Sequence, residues 1–288
     1  MKRFSFNQAT APNWPTPDLI AGCVAAGVGT VGLWREQTQD YGLANTVRAV
    51  RAAELAVSSL CRGGFFDRAD WFDDNRRALD EAAALGAPVL VLVCGGLPAG
   101  SRDLPGARAR VADAIATLAP AALEHGVTLA IEALHPMFAA DRCVVSTLGQ
   151  ALDIAEAHPV GAVGVMVDTY HVWWDDQVYR QLERAGPRIA GFQLADWATP
   201  LPAGVLTGRV LPGAGRIDLA RLWAAVDAAG YTGPVEVEIF NEELWARDGA
   251  AILADTIAAY ESVRLGRLSP AQRSIVDAPG GGHHPSCL

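Results

Sequence analysis

Several side chains with oxygen donors stand where apolar runs of this sequence end. Glu132 closes VTLAIE, Asp168 closes VGVMVD, Gln193 sits within IAGFQLADW, and Glu236 and Glu238 alternate with apolar residues in PVEVEIF. Residues two apart in a strand share a face, so Glu236 and Glu238 point the same way. An isolated charge in apolar surroundings is costly unless it is paired or bound to a metal. Any one of these residues alone reads as a solvated rim group. If the runs end side by side, however, converging carboxylates repel one another unless a cation joins them. Glu132, Asp168, Gln193 and Glu238 are therefore the expected ligands of one divalent ion. Glu236 is the runner-up for the fourth position, or else an interior residue paired with an arginine.

The elements that must bring these residues together are legible as an alternation. Eight short apolar runs begin near Arg3, Thr30, Ala56, Pro88, Val127, Val163, Ile189 and Pro234. Between them lie amphipathic stretches rich in Ala, Arg and Leu, punctuated as helices are. Thr16-Pro17-Asp18 opens one that Gly27 closes, and residues 73–85 and 107–125 stop at Gly86 and Gly126. Thr147 opens another, and the helix over 218–229 ends at Gly230. Eight strand–helix alternations match one α/β domain, a (β/α)8 TIM barrel of ordinary size (~250 residues), whose active site lies at the C-terminal ends of its strands. A doubly wound open sheet is the rival, but the segment after the first strand, ATAPNWP, is not its glycine-rich turn. The expected division is a barrel over 1–267 and a disordered tail rich in Pro, Gly and Ser over 268–288.

Composition narrows the function classes. A net charge of −9 over 288 residues argues against nucleic-acid binding, which needs a basic surface. No apolar run approaches the ~20 residues of a membrane span, and the N-terminus lacks a signal peptide's apolar core. The expectation is a soluble, cytoplasmic protein with no membrane partner. Five scattered cysteines without a C-x-x-C pair fit reduced thiols. The sole lysine is Lys2, which nearly excludes Schiff-base chemistry.

The segments IEALHP, VDTYH, FQLADW, GRVLPGAGRID and YTGPVEVEIF resemble the xylose-isomerase-like barrel superfamily of sugar isomerases and epimerases, across most of residues 2–266. The resemblance implies a metal held by Glu132, Asp168, Gln193 and Glu238, with His171 and Arg209 touching substrate. Most members carry His where Gln193 stands; some, including the 3-dehydroshikimate dehydratases, carry Gln. The all-oxygen set suits Mn2+ or Mg2+ better than Zn2+, with Co2+ a further candidate. The implied reaction polarises a carbonyl and passes an α-proton between two catalytic glutamates, Glu132 and Glu238, through an enediolate. The expected substrate is a sugar, cyclitol or related polyol carbonyl, unphosphorylated since no glycine-rich cradle is visible. Dehydration of an inosose- or dehydroshikimate-like ketone is the alternative. His171 alternatively caps its strand, and Arg209 alternatively is a solvated loop residue. Trp14, Trp34, Trp173, Trp174 and Trp197 fall at strand ends, with Trp14 and Trp174 expected to wall the pocket. Asp196 is a second support or a loop cap. The segment NEELWARDG is a lid or a subunit contact. The resemblance also implies a homo-oligomer, a dimer or tetramer. Too few histidines lie within the barrel for the multinuclear zinc site of the superfamily's nucleases.

Overall fold

A computed structural model describes Met1 and residues 3–266. Eight strands are β1 (Phe4–Asn7), β2 (Thr30–Trp34), β3 (Ala56–Gly64), β4 (Val89–Val93), β5 (Thr128–Glu132), β6 (Val163–Asp168), β7 (Ile189–Leu194) and β8 (Val235–Val237). They form a closed barrel in the order β1-β8-β7-β6-β5-β4-β3-β2, every pairing parallel. The eight expected strands are all present. The barrel's expected end at 267 and the expected tail over 268–288 lie outside the described residues.

The helices are α1 (Thr16–Ala25), α2 (Arg35–Tyr41), α3 (Leu43–Ala52), α4 (Trp71–Leu85), α5 (Leu104–His125) and α6 (Leu148–Ala155). They continue with α7 (Thr169–Val172), α8 (Val178–Ala185), α9 (Leu219–Ala228), α10 (Glu242–Trp245) and α11 (Gly249–Arg264). Helices α4 and α5 stop as expected, at glycines with φ of 70° and 66° whose N–H groups bond back into the last turn. The left-handed backbone that ends a helix this way costs glycine nothing. Thr147 and Asp218 are N-caps, accepting from the N–H groups of Gln150 and Arg221. Thr16 differs from expectation. The N-cap of α1 is Pro15, and the Thr16 hydroxyl instead accepts from Gln8 Nε2.

Strand period decides which residues face the barrel's inside. In β4, Leu90 and Leu92 pack into the main core between sheet and helices. Their alternates Val89 and Val91 pack with Cys61, Ala130 and Met166 in a small separate cluster, the interior filling. Two residues beyond Ala130 is Glu132, and two beyond Met166 is Asp168, so both acids inherit the inward direction at the C-terminal end. Asp168 pairs in register with Gln193, and Gln193 with Glu236. Among the described residues, no helix is long and apolar enough to cross a membrane.

Candidate active site

Two layers of polar side chains lie above the apolar filling. The lower centres on Glu236, buried to 3% exposure. Its Oε1 accepts from Asn7 Nδ2 at 2.7 Å and Gln193 Nε2 at 2.9 Å. Its Oε2 accepts from the hydroxyls of Ser58 and Ser59. Among the described residues no arginine pairs with it; hydroxyl and amide donors do that work. Gly32 on β2, across β1 from the strand of Glu236, makes the room, since a Cβ there would stand 2.5 Å from Glu236 Oε2.

The upper layer holds Glu132, Asp168 and Glu238, all buried. Glu238 accepts from Arg209 Nη1 at 2.8 Å and from the amides of Asn7 and Gln193 at 3.1 and 3.3 Å. Asp168 Oδ1 accepts the Tyr170 N–H, while its Oδ2 lies 2.9 Å from Arg209 Nη1 without a well-directed hydrogen bond. Glu132 accepts from no N–H or hydroxyl donor among the described residues. Its carboxyl meets that of Asp168, a hydrogen bond only while one of them holds a proton. Burial first, and then the charges of Asp168 and Glu238, push Glu132 well above the usual carboxylate range. Glu238 is pushed up to about 8, by burial against the opposing pull of Arg209. Burial also raises Asp168, again against Arg209.

Of the two readings of Arg209, the solvated loop residue is not what is seen: it is 2% exposed. It lies in a short hairpin in which Arg209–Val210 pairs antiparallel with Asp196–Trp197. Asp196 fixes that loop by accepting N–H groups of Trp197, Gly213, Gly215 and Ile217, the loop-cap role that was one of its two readings. His171 is buried, and its Nδ1 accepts the His135 N–H at 3.1 Å, which assigns the neutral ring's proton to Nε2. That Nε2 lies 3.8 Å from Glu132 Oε1 and 3.9 Å from Asp168 Oδ2. Burial and then Arg209 hold His171 well below its ordinary value, so the imidazole is neutral. Arg209 Nη2 approaches the same Nε2 at 3.1 Å, donor against donor. This contact is strained in its polarity, and Arg209 Nε has no partner.

A cleft at this end is lined by Glu132, His171, Arg209 and Glu238, with Trp34, Phe240, Arg62 and Arg142 among its walls. Its room for water is only about 30 Å³, so the walls, Leu206 among them, must move apart to admit a sugar-sized molecule. The structure thus joins Glu132, Asp168, Gln193, Glu238, His171 and Arg209. It does not bring Trp14 or Trp174 into the wall. Trp14 wedges between helices, where a Cβ on Gly22 or Gly249 would stand 2.3 or 2.2 Å from its ring. Trp174 is 37% exposed and donates its Nε1–H to His171 O. Trp197 stacks on Tyr170, with Trp173 tilted against it. The NEELWARDG segment is anchored: Asn241 donates to Arg209 O, and Trp245 Nε1 donates to Ala9 O. Asn7, Arg62 and Arg142 were missed. Asn7 ends β1 as the acids end their strands, a signal open to the same test.

A cation fits these residues. Carboxylate oxygens of Glu132 and Asp168 lie within 4.8 Å of each other, close enough to share a metal ion; a His171 ring nitrogen falls in the same range, but with its proton on Nε2 it faces them as a donor and not as a ligand. Gln193 Oε1 is buried without a partner, its amide nitrogen being committed to the glutamates. An orphaned buried carbonyl oxygen beside under-compensated carboxylates is the donor chemistry of a hard divalent ion. Arg209 Nη1 bridges Asp168 and Glu238, two of the residues that would hold such an ion.

Known proteins agree with the fold. A crystal structure of protein SMc04130 from Sinorhizobium meliloti 1021 superposes with a TM-score of 0.88 at 43% identity, covering 91% of this chain and 98% of that one. Inosose isomerase of Halalkalibacterium halodurans is 33% identical over 131 residues, 44% of this chain and 45% of that protein. The 3-dehydroshikimate dehydratase of Pseudomonas aeruginosa is 31% identical over 240 residues, 78% of this chain and 36% of that protein. The matched stretches span less than half the length of either curated relative. The family model for the xylose isomerase-like TIM barrel matches residues 20–256. With the closed barrel and that match together, the chain belongs to the xylose isomerase-like TIM barrel family.

Proposed function

We propose that this chain is an enzyme that isomerises or epimerises a polyhydroxylated ketone or aldehyde, with Glu132 and Glu238 exchanging the proton. One observation carries the reading: three buried carboxylates gather at one end of the barrel, only Asp168 and Glu238 reach a guanidinium, and Gln193 Oε1 is left unpartnered beside them. Glu132, Asp168, Gln193 and Glu238 are the residues that would hold a divalent ion, Mn2+ or Mg2+ from their oxygen-only chemistry. Such an ion supplies Lewis-acid polarisation of a carbonyl oxygen.

The chain's own groups do the rest. Glu132 ends β5 and Glu238 follows β8, so they reach a bound substrate from different sides of the barrel. One, as carboxylate, takes the α-proton; the other, as carboxylic acid, returns a proton to the opposite face or the neighbouring carbon. The two have then exchanged protonation states, and the reverse reaction or solvent restores them. Both are raised toward neutrality, which suits a group that must both give and take a proton near pH 7. His171 Nε2–H is positioned to donate to a substrate oxygen, and the Arg209 fork to hold a hydroxyl or carbonyl.

Dehydration of a cyclic ketone is the second reading. It is favoured by Gln193 and by the dehydratase relative, whose match covers more of this chain than that of the isomerase relative. Both readings begin with removal of an α-proton. Protein loaded with Mn2+ and incubated in deuterated solvent with ketoses and inososes should wash deuterium into the α-position. New ultraviolet absorbance from an enone would assign the dehydratase instead. Loss of exchange in Glu238→Gln ties it to this site, and failure of exchange on every polyol carbonyl tried would sink both readings.

A further inference from the structure

Arginines in this barrel fall into two kinds. Arg35 is ion-paired with two acids, Asp74 and Glu81, and so is Arg209, with Asp168 and Glu238, although its Nε has no partner. Arg62 and Arg142 both line the cleft and are not so paired. The one ion pair of Arg62 is a 3.2 Å contact with Glu36, a side chain 54% exposed, and its Nε is buried without a partner. The Arg62 guanidinium lies over the rings of Phe65 and Trp34, which hold it flat at the wall. Arg142 sits in the loop after β5, with a buried Nε that also lacks a partner. Its guanidinium makes no hydrogen bond or ion pair among the described residues. The two cations share one cleft wall, and burial, then the charge of Arg62, push Arg142 below the usual arginine range.

Burying part of a guanidinium beside another of like charge is costly unless an anion completes the arrangement. The carboxylates on the floor of the cleft do not supply it. Glu132 is near enough to act on Arg142 through space, yet the two make no ion pair. Planar guanidinium forks with free N–H groups match the paired oxygens of carboxylate or phosphate. We propose that Arg62 and Arg142 form an anion-binding subsite at the wall of the cleft, so that the substrate is a polyhydroxylated carbonyl compound carrying a carboxylate or phosphate group. The inference rests on the isomerase reading for its substrate class, while the subsite itself stands on the two arginines. It adds an anionic group to the expected sugar or cyclitol, with selectivity exerted away from the carbons that react.

The test compares three probes that differ only at one end: D-glucose, D-glucuronate and D-glucose 6-phosphate. Binding is followed by titration calorimetry on the metal-loaded full chain. Wild type should bind one or both anionic probes at least tenfold more tightly than glucose. Preference for glucuronate identifies a carboxylate subsite, and preference for the 6-phosphate a phosphate subsite. Arg142→Gln and Arg62→Gln should each erase most of that preference while leaving glucose binding unchanged. Arg142→Lys should recover part of it, separating charge from loop structure, and melting curves confirm that the variants fold. Equal affinity for all three probes, or an anion preference that survives both Gln variants, overturns the subsite. The α-proton exchange assay reports separately on the chemistry. Exchange on neutral ketoses together with equal affinity for all three probes removes the subsite and keeps the isomerase. Arginine-dependent anion binding without exchange on any substrate does the reverse.

Discussion

Glu236 and Glu238 are two residues apart on one strand face, yet the barrel treats them in opposite ways. Glu236 is ringed by Asn7, Ser58, Ser59 and Gln193, with donors on both oxygens. One step nearer the mouth, Glu238 and Asp168 share a single arginine, and Glu132 beside them has no N–H or hydroxyl donor among the described residues. The lower layer closes its own hydrogen bonds and contributes to stability. The upper layer leaves charge uncompensated, which is a standing cost to the fold and marks where function resides. Burial alone does not distinguish the two layers, since both are nearly inaccessible. Donor count does.

The sharpest way to break this contrast is to neutralise one acid in each layer. Glu132→Gln should lower the rate of α-proton exchange by about a thousandfold or more, the range for losing a positioned acid or base. The same change should leave the metal-free protein as stable as wild type or more so, since a repelling buried carboxylate is gone. A variant that loses activity and also melts much earlier would place Glu132 among the structural residues.

The pH dependence of stability is the next lever. Glu238 is raised in the folded state to about 8, and Glu132 is raised as well. The folded protein therefore holds protons that the unfolded chain releases above ~4.3. Stability from that source is fully present below the unfolded value and is lost as pH rises through the folded one. Metal-free protein should melt at progressively lower temperature between about pH 5 and pH 8, and saturating Mn2+ should flatten the slope. A melting temperature that climbs over this interval without metal would mean the acids are already compensated.

A smaller effect is expected from the lower layer. Glu236→Ala strands the Ser58, Ser59 and Asn7 donors and should cost about 1–3 kcal/mol in denaturant unfolding. Its effect on exchange should be well below that of Glu132→Gln. Smallest of all, Trp174→Phe should change kcat/KM less than about threefold, because Trp174 lies outside the cleft wall and its loss is a surface change.

Much of this was legible beforehand because barrels turn sequence periodicity into direction. Apolar alternation located β5 and β6, and Glu132 and Asp168 follow Ala130 and Met166 by one strand period into the interior. Helix ends at Gly86 and Gly126 were readable because a left-handed residue is a local requirement. What could not be read is where side chains go once they leave a strand or sit in a loop. Arg209 lay in a segment rich in Gly and Pro, and its burial depends on Asp196 gathering four N–H groups around that loop. Arg142 sits in the loop after β5, where no period applies, and Arg62 reads from sequence as another charged residue near a strand end. The partners of Trp14, Gly22 and Gly249, stand on helices at opposite ends of the chain, a contact that only the closed barrel brings about.

The central claim is that the upper layer is built around a cation and the lower layer is not. Its most direct test is the melting temperature of chelator-stripped protein with and without Mn2+, measured with bound metal per chain for wild type, Glu238→Gln and Glu236→Ala. The account predicts one bound ion and a clear upward shift in wild type, loss of both in Glu238→Gln, and their survival in Glu236→Ala. No shift and no bound ion in wild type with any divalent metal, or loss of both only in Glu236→Ala, would contradict it.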